Sequence, residues 1–442
     1  MHLKTKLLLS AVAVSSTLAS ASALAGDKDQ FIGLPSYRVG AYAAGGSGIY
    51  GGWIDYMSLV NAQGGINGVK LEWEECETEY NTARGVECYE RLKGKGASGN
   101  SVFMPLSTGI TYAVLDKVAQ DKIPMVTIGY GRTDASDGRV FPWVFPMLTN
   151  YWSQNTAKIK FIGSREGGMD KLKGKKIVNL YHDSAYGKET IPLLEAQAKK
   201  YGFTVVNIPV SHPGNEQQSQ WLRIRQEKPD WVILRGWGVM NPTAIKAAAK
   251  IGFPRDKMVG VWWSGAEEDT IPAGAAAKGF IAAGFNVAGE NYPVIKAIED
   301  KVYKPGHGNM EDKARIGSVY YNRGVVHGII TVEAIRTAQA KFGKGKVMTG
   351  EQMRWGFEHL NIDGKRLKEL GAEGFMPDLH VTCLDHEGSG KVKFQQWDGS
   401  KWKVLTDWIE PDRDLVRPMI EESAAKYAKE KGITPRDCSK EG

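Results

Sequence analysis

Short apolar runs alternate with longer amphipathic segments in the first part of the chain. The alternation predicts strands at YRVGAY (37–42), VKLEWEEC (69–76), NSVFMPL (100–106) and PMVTIG (124–129). Apolar residues that recur every three or four positions predict helices over residues 50–65, 81–93 and 108–122. In the first of these helices Trp53, Met57 and Val60 share one face, and Gly64-Gly65 marks its end.

The same rhythm restarts after the proline-containing stretch VFPWVFP (140–146). Strands are predicted at KKIVNLYH (175–182), FTVVNIPV (203–210), DWVILRGW (230–237), KMVGVWW (257–263) and GFIAAGFNV (279–287), with helices over 186–202, 215–228 and 241–252. Strands separated by helices favour right-handed βαβ units and parallel sheets. Two such series predict an α/β protein with two doubly wound parallel-sheet lobes.

Crossovers between the lobes are predicted near residues 145–150 and 282–289, and helical runs follow at 291–304 and 315–340. Farther on, KVKFQQWDGSKWKVL (391–405) has a D-G turn between alternating runs, which is typical of a β-hairpin, and a charged helix (414–432) closes the chain. The predicted division is an N-terminal lobe of 27–147 plus 287–360, a C-terminal lobe of 148–286 plus 361–385, and a C-terminal extension of 386–442.

The first 25 residues carry the pattern of a secretory signal peptide. Lys4 and Lys6 precede an apolar stretch that ends in small residues, which predicts cleavage after Ala25 and a periplasmic protein. A retained membrane anchor is the alternative, although the apolar run is shorter than the roughly 20 residues that a span needs. The formal charge of +7 falls to +5 without this segment, and no dense basic run suggests a nucleic-acid partner.

Four cysteines, Cys76, Cys88, Cys383 and Cys438, lie in the exported part, where disulfides persist. A local bridge between Cys76 and Cys88 would leave Cys383 and Cys438 to fasten the C-terminal tail. Four cysteines allow three pairings, and spacing alone does not choose among them.

Candidate ligand-binding residues follow the predicted strands, because ligands of open parallel sheets bind outside the carboxyl ends of the strands. In the first lobe Tyr50 ends the Gly-rich stretch AAGGSGIYGG, which predicts a turn after the first strand. Later strands are followed by Ser107 and Thr108 at a helix start, then by Gly129, Tyr130, Gly131, Tyr186, Trp237 and Trp263. Hydroxyls and free N–H groups at a helix start suit a carboxylate, but a helix N-cap explains Ser107 and Thr108 equally well. A single aromatic residue at a strand end is as often part of the core.

The sequence lacks the motifs of nucleotide-cofactor sites, metal sites and serine nucleophiles. GGSGIYGG matches neither the P-loop nor the dinucleotide-binding spacing, so no cofactor is expected. No HExxH motif or paired histidine spacing predicts a metal site, and no GxSxG motif predicts a serine nucleophile. The sequence therefore predicts a binding protein and not an enzyme.

Three phrases in order give the chain a family resemblance. They are NAQGGINGVKLE (61–72), YHDSAYGKE (181–189) and PDWVILRGWGVMNPTAIKAAAKIGF (229–253). Over residues 36–345 the chain resembles the branched-chain amino acid-type (Leu/Ile/Val-binding-protein-like) periplasmic substrate-binding proteins of ABC transporters. The resemblance implies a type I fold whose two lobes, joined by three crossings, close on a solute and deliver it to a membrane permease. We expect it to act as a monomer.

The resemblance also assigns roles. It places the family's binding positions at Tyr50, Ser107 with Thr108, Gly129–Gly131, Tyr186 and Trp237. Relatives that bind α-amino acids present an acid to the ammonium from the loop that here reads WWSGAEED (262–269), where Trp263 and Ser264 take that place and Glu267 comes late. The ligand is therefore predicted to be a small, flat or aromatic carboxylate, although aromatic faces also hold ammonium groups, so amino acids and amides stay open. An exported amidase-like enzyme and a ligand-sensing partner of a membrane receptor are the alternatives.

Overall fold

A computed structural model describes residues 28–441, so the predicted signal peptide lies outside the described residues. The strands are β1 Gln30–Leu34, β2 Leu71–Glu75, β3 Met125–Val126, β4 Val144–Phe145, β5 Lys176–His182, β6 Thr204–Val210, β7 Trp231–Arg235, β8 Met258–Gly260, β9 Ile281–Gly284, β10 Asn361–Ile362, β11 Leu379–His380, β12 Lys393–Trp397 and β13 Trp402–Val404.

The helices are α1 Ala43–Ala62, α2 Thr82–Leu92, α3 Thr108–Asp121, α4 Tyr151–Glu166, α5 Ala185–Lys188, α6 Ile191–Tyr201, α7 Gln218–Glu227, α8 Met240–Lys250, α9 Glu267–Thr270, α10 Pro293–Ile298, α11 Val319–Phe342, α12 Gly350–Glu358, α13 Gly364–Glu369 and α14 Arg413–Lys431. No helix among residues 28–441 is long and apolar enough to cross a membrane.

Two parallel sheets define two lobes, which confirms the predicted α/β class. In the N-terminal lobe β1 pairs with β2 and β3 pairs with β4, and Phe103 bridges Gly33 of β1 to Met125 of β3. The predicted strand 100–106 is reduced to that bridge. In the C-terminal lobe the order is β13-β12-β9-β8-β7-β5-β6, in which β12 and β13 run antiparallel to their neighbours. The predicted hairpin thus extends this sheet at its edge.

The strand predicted at 37–42 is wrong. The first strand is β1, QFIGL, and all five of its residues are buried. A parallel strand covered on both faces shows no alternation of apolar and polar residues. The run YRVGAY does alternate, which is why a strand is predicted there. In the structure it forms the loop that leads into α1.

The Gly-rich turn predicted at residues 43–52 is also wrong, because this stretch is the first half of α1. The glycines serve close packing. A methyl group on Gly52 would lie 2.0 Å from the carbonyl oxygen of Tyr321, and one on Gly324 would lie 1.9 Å from that of Ile49. Helices α1 and α11 therefore touch backbone to backbone, and Tyr50 becomes a buried helical residue.

The chain passes between the lobes three times. It leaves the first sheet after β4 and enters the second through α4, returns after β9 to α10 and α11, and crosses again between α12 and β12. The exact domain boundaries given above stay a prediction.

The last long helix, α14, lies against both lobes, and we call it the C-terminal strap (Arg413–Lys431). Its first half packs Val416 and Ile420 against Trp152 and Leu193 beside the C-terminal sheet. Its second half packs against the N-terminal lobe, where Ala424, Tyr427 and Ala428 contact Val140 and Phe141.

Two disulfides tie the chain locally and at its end. Cys76 is bonded to Cys88, and Cys383 to Cys438. This is the pairing in which a local bridge leaves the other two cysteines to fasten the C-terminal tail.

Candidate ligand-binding cleft

A small cavity lies where the two lobes face each other. The cavity has a volume of about 10 Å³. That is room for about one water molecule, so the surrounding rings nearly fill it. The walls are Tyr80, Leu106, Thr108, Tyr130, Tyr151, Tyr186, Trp237 and Trp263.

The wall from the N-terminal lobe is built on the start of α3 and the loop after β3. Ser107 caps α3 by accepting a hydrogen bond from the backbone N–H of Ile110 at 3.4 Å. The Thr108 hydroxyl accepts one from the N–H of Gly131 at 3.3 Å. Tyr130 donates to the carbonyl of Val126 at 3.0 Å and accepts from the N–H of Leu106 at 2.8 Å. The Tyr130 ring is therefore fixed in place by the backbone on both sides.

The wall from the C-terminal lobe is made of large rings. Trp237 and Trp263 meet edge to face, with ring centroids 5.1 Å apart. Trp263 Nε1 donates to the carbonyl of Gly129 at 2.9 Å and to the Tyr151 hydroxyl at 2.8 Å. The Tyr186 hydroxyl donates to the carbonyl of Gly236 at 2.9 Å, so this phenol holds the loop that carries Trp237 while its ring lines the cavity.

Five of the nine predicted binding residues line the cavity: Thr108, Tyr130, Tyr186, Trp237 and Trp263. Tyr50 lies in α1 and donates to the carbonyl of Pro35 at 2.7 Å. The Ser107 hydroxyl caps α3 and does not line the cavity. Gly129 and Gly131 lie just behind the wall, where the Gly129 carbonyl accepts from the Trp263 indole and the Gly131 N–H reaches Thr108.

Three wall residues were missed by the sequence reasoning. Tyr80 follows β2, and the predicted binding residues include none after the second strand of either lobe. Leu106 precedes the predicted Ser107. Tyr151 is the first residue of α4, directly after a crossover, where no strand-end rule applies. No sequence signal therefore indicated Tyr151.

The acids of the WWSGAEED loop point away from the cavity. A Glu267 carboxylate oxygen accepts from the N–H of Val319 at 2.9 Å, and burial raises the pKa of Glu267 to about 7. Asp269 accepts from Asn241 at 2.7 Å, from the N–H of Ala266 at 2.9 Å and from the Tyr320 hydroxyl at 3.1 Å. Burial also raises the pKa of Asp269 to about 7. No carboxylate side chain is among the eight described residues that form the walls.

Hydrogen-bond donors are left over instead. Trp237 Nε1 is buried and has no partner among the described residues. The Tyr151 hydroxyl accepts from Trp263, so its own hydrogen stays available to an acceptor in the cavity. A cavity with spare donors and without carboxylates suits a ligand that brings acceptors.

Further contacts join the lobes at the rim of the cavity. The Tyr42 hydroxyl, before α1, lies 2.9 Å from His182 Nε2 and 3.3 Å from His212 Nδ1 in the opposite lobe. Burial lowers the pKa of His182 to about 4, so this imidazole is neutral at pH 7. Glu189 accepts from the N–H of Thr133 at 2.7 Å and from its hydroxyl at 2.5 Å. A few polar contacts therefore hold the two lobes together around the cavity.

The comparisons with known proteins agree with this architecture. The sequence profile described as periplasmic binding protein matches residues 29–401. The chain belongs to the periplasmic binding protein family. A solved structure described as an ABC transporter permease from the Pseudomonas fluorescens group is 50% identical to this periplasmic binding protein, with a TM-score of 0.88, and the match covers 93% of this chain and 100% of that one. No curated protein matches the chain.

Two further structures share the fold of this periplasmic binding protein at low identity. A branched-chain amino acid ABC transporter protein from Thermus thermophilus with bound valine is 20% identical, with a TM-score of 0.74, and the match covers 88% of this chain and 99% of that one. A solute-binding protein of an ABC transporter from R. palustris in complex with benzoate is 19% identical, with a TM-score of 0.67, and the match covers 87% and 97%. These likenesses show the type I fold alone.

Family membership carries the general role. This periplasmic binding protein is an ABC transporter substrate-binding protein that binds small ligands, and its family is non-enzymatic. Association with an ABC transporter is implied by the family. Cleavage after Ala25 falls outside residues 28–441 and stays a prediction.

Proposed function

We propose that this substrate-binding protein captures a small carboxylate-bearing ligand between its lobes and delivers it to a membrane ABC permease. The observation that carries the proposal is the composition of the cavity walls. They offer spare N–H and O–H donors between aromatic faces and no carboxylate among the described wall residues. The free Trp237 indole N–H is the donor with the least competition, because a buried donor without a partner destabilises the protein until an acceptor arrives.

The proposed mechanism is closure without chemistry. The α3 wall, with the Thr108 hydroxyl, holds the polar end of the ligand, and Tyr186, Trp237 and Trp263 cover its flat part from the other lobe. The narrow cavity supports a mechanism in which the lobes part to admit the ligand and close again. Ligand binding energy then shifts an open–closed equilibrium, and the closed form is the one that the permease recognises.

The proposed binding set keeps all nine predicted residues, in two layers. Thr108, Tyr130, Tyr186, Trp237 and Trp263 would contact the ligand directly. Tyr50, Ser107, Gly129 and Gly131 would hold the backbone and rings that do so. Two hydrogen bonds support this division: the N–H of Ile110 in α3 donates to the Ser107 hydroxyl, and the Trp263 indole N–H donates to the carbonyl of Gly129.

Native mass spectrometry of the protein without residues 1–25 is the first test. A retained carboxylate of small mass is the expected result, followed by thermal-shift measurements with that compound. Thr108→Val should weaken binding, whereas Thr337→Val, which removes a hydroxyl bonded to Glu333 on the outer part of α11, should not. Chemical conversion of the bound compound during incubation would overturn the proposal in favour of an enzyme of the amidase type.

A further inference from the structure

A buried guanidinium lies against the rings of the C-terminal wall. Arg235 is the last residue of β7, and it is 1% exposed. Its guanidinium carbon lies 4.0 Å from the ring centroid of Tyr151 and 4.7 Å from that of Tyr186, and both rings line the cavity. Its Nε and Nη2 donate to the carbonyl of Tyr186 at 3.1 and 2.9 Å. Its Nη1 is buried and has no partner within residues 28–441.

A second buried guanidinium lies near another ring of the cavity walls. Arg323 of α11 is fully buried and lies 4.7 Å from the ring centroid of Trp263, which lines the cavity. Its Nε donates to Asn286 at 3.0 Å and its Nη1 to the carbonyl of Trp262 at 2.9 Å, and its Nη2 has no partner among the described residues. Burial lowers the pKa of Arg323 to about 10, so the group is charged at pH 7.

The surroundings of both guanidiniums are neutral acceptors and aromatic faces. Among residues 28–441, neither Arg235 nor Arg323 has a carboxylate oxygen within 4.0 Å, while the surface arginines are mostly paired. Acids act on both charges from farther away, Asp269 and Glu268 on Arg323 and Glu189 on Arg235. Each of these acids is held by other donors: Asp269 by three, Glu268 by Arg315, and Glu189 by the N–H and hydroxyl of Thr133. Two positive charges therefore stand beside the aromatic walls without a direct counter-charge.

The position of these charges decides what the aromatic walls can hold. An aromatic cage binds an ammonium group because the negative faces of its rings are free to attract a cation. Here one cation already lies on Tyr151 and Tyr186, and another lies near Trp263. A second cation placed in the cavity would be repelled by both guanidiniums through a medium less polar than water. An anion would be attracted by both.

We propose that the ligand is an anion without an ammonium group, and that Arg235 and Arg323 determine this specificity from behind the aromatic walls. The inference rests on the proposed function and narrows it: of the carboxylates, amino acids and amides left open above, it selects the carboxylates that carry no amine. The arginines are positioning and specificity residues, since the rings lie between them and the ligand.

Matched ligand pairs test the inference directly by isothermal titration calorimetry. The pairs are benzoate with benzylamine, 3-phenylpropanoate with phenylalanine, and 4-methylpentanoate with leucine. We expect at least one carboxylate to bind, and its amine-bearing partner to bind at least about tenfold more weakly, which is the effect of one unit charge at about 12 Å with an effective dielectric constant of about 20. Equal or tighter binding of phenylalanine or leucine would overturn the inference and leave the proposed function standing. Failure of all six compounds to bind would count against both.

Charge variants separate this role from a structural one. Arg235→Met and Arg323→Met should each reduce the preference for the carboxylate over its amine-bearing partner about tenfold, for the same electrostatic reason. Arg235→Lys and Arg323→Lys keep the charge and should retain the preference, so a lysine variant that behaves like the methionine variant contradicts the charge argument. Arg354→Met is the matched control, because this guanidinium lies over Trp143 at 5.5 Å outside the cleft and its loss should leave the preference unchanged.

Discussion

The lobes meet at two places of opposite character, the cleft and the seam under the C-terminal strap. At the cleft the contacts are aromatic rings and a few hydrogen bonds around a cavity that is nearly filled. At the seam the strap is fastened by apolar packing on both lobes. An ion pair of Lys431 with Asp116 at 2.8 Å and a hydrogen bond from the Tyr427 hydroxyl to Asp116 at 3.0 Å add to it. A ligand can replace the first kind of contact but not the second. The seam therefore serves stability, and the cleft serves recognition.

The largest effect should come from the disulfide that fastens the chain after the strap. Cys383→Ala with Cys438→Ala opens a bridge between residues 55 apart in sequence, which should lower the free energy of unfolding by about 4 kcal/mol on the chain-entropy argument. Removing Cys76–Cys88, with a separation of 12, should lower it by about 3 kcal/mol. Urea unfolding measures both. Ligand affinity should stay within about threefold of the wild type, since distant sites act independently. A large loss of affinity without a loss of stability would contradict the division into a cleft for recognition and a seam for stability.

Trp237→Ala should have the largest effect on recognition. Trp237 lines the cavity and also contacts Tyr42 and Trp263, so its loss should weaken ligand binding about thirtyfold or more, as for a central aromatic anchor. Calorimetry measures the affinity, and Trp237→Phe should recover part of it. The control is Trp402→Ala in the hairpin, where the ring packs on Trp397: stability should fall while affinity holds. Equal loss of affinity in both variants would point to general unfolding.

Tyr42→Phe removes the hydroxyl that contacts His182 and His212 across the cleft. One hydrogen bond of this kind contributes about 1 kcal/mol, so the closed form and the ligand affinity should weaken about fivefold. Tyr89→Phe, which loses a hydrogen bond to Asp121 within the N-terminal lobe, should leave affinity unchanged. The same change in both variants would mean that Tyr42 does not act through closure.

Glu267→Gln should have the smallest effect on affinity, under about twofold, because the carboxylate faces the N–H of Val319 and not the cavity. The substitution should instead change how the free energy of unfolding depends on pH. A folded-state pKa of about 7 lies above the ordinary value of 4.5, so the stability that this group contributes is present below about pH 4.5 and is lost as the pH rises through 7. The variant should therefore flatten the fall in unfolding free energy between about pH 4.5 and 7. A pH profile that keeps the wild-type slope would show that another group titrates there.

Much of the fold could be predicted because the strand–helix rhythm is regular. In the C-terminal lobe the predicted strands 175–182 and 203–210 differ from β5 and β6 by one residue each. The first strand of the N-terminal lobe could not be placed in this way, since QFIGL is buried on both faces and carries no alternation. The glycines of α1 gave a wrong prediction of a turn for a related reason. Their role is contact with α11, which only the assembled structure reveals.

The cavity walls could be predicted in part. Residues at strand ends, such as Tyr186 and Trp237, followed from the geometry of parallel sheets. Tyr151 could not, because a crossover helix brings it to the cleft. The guanidiniums of Arg235 and Arg323 could not either, since their importance depends on which rings they touch and on the absence of a direct counter-charge, and sequence spacing records neither.

Pro418 gives the strap a mechanical property. It lies inside α14, lacks a backbone N–H, and so leaves the carbonyl of Asp414 without its helical hydrogen bond. A helix bends most readily at such a point. When the lobes rotate, the strap is then an articulated link and not a rigid strut. The amplitude of opening becomes a property of a segment that lies outside the cavity walls, so the range of motion and the choice of ligand can change independently.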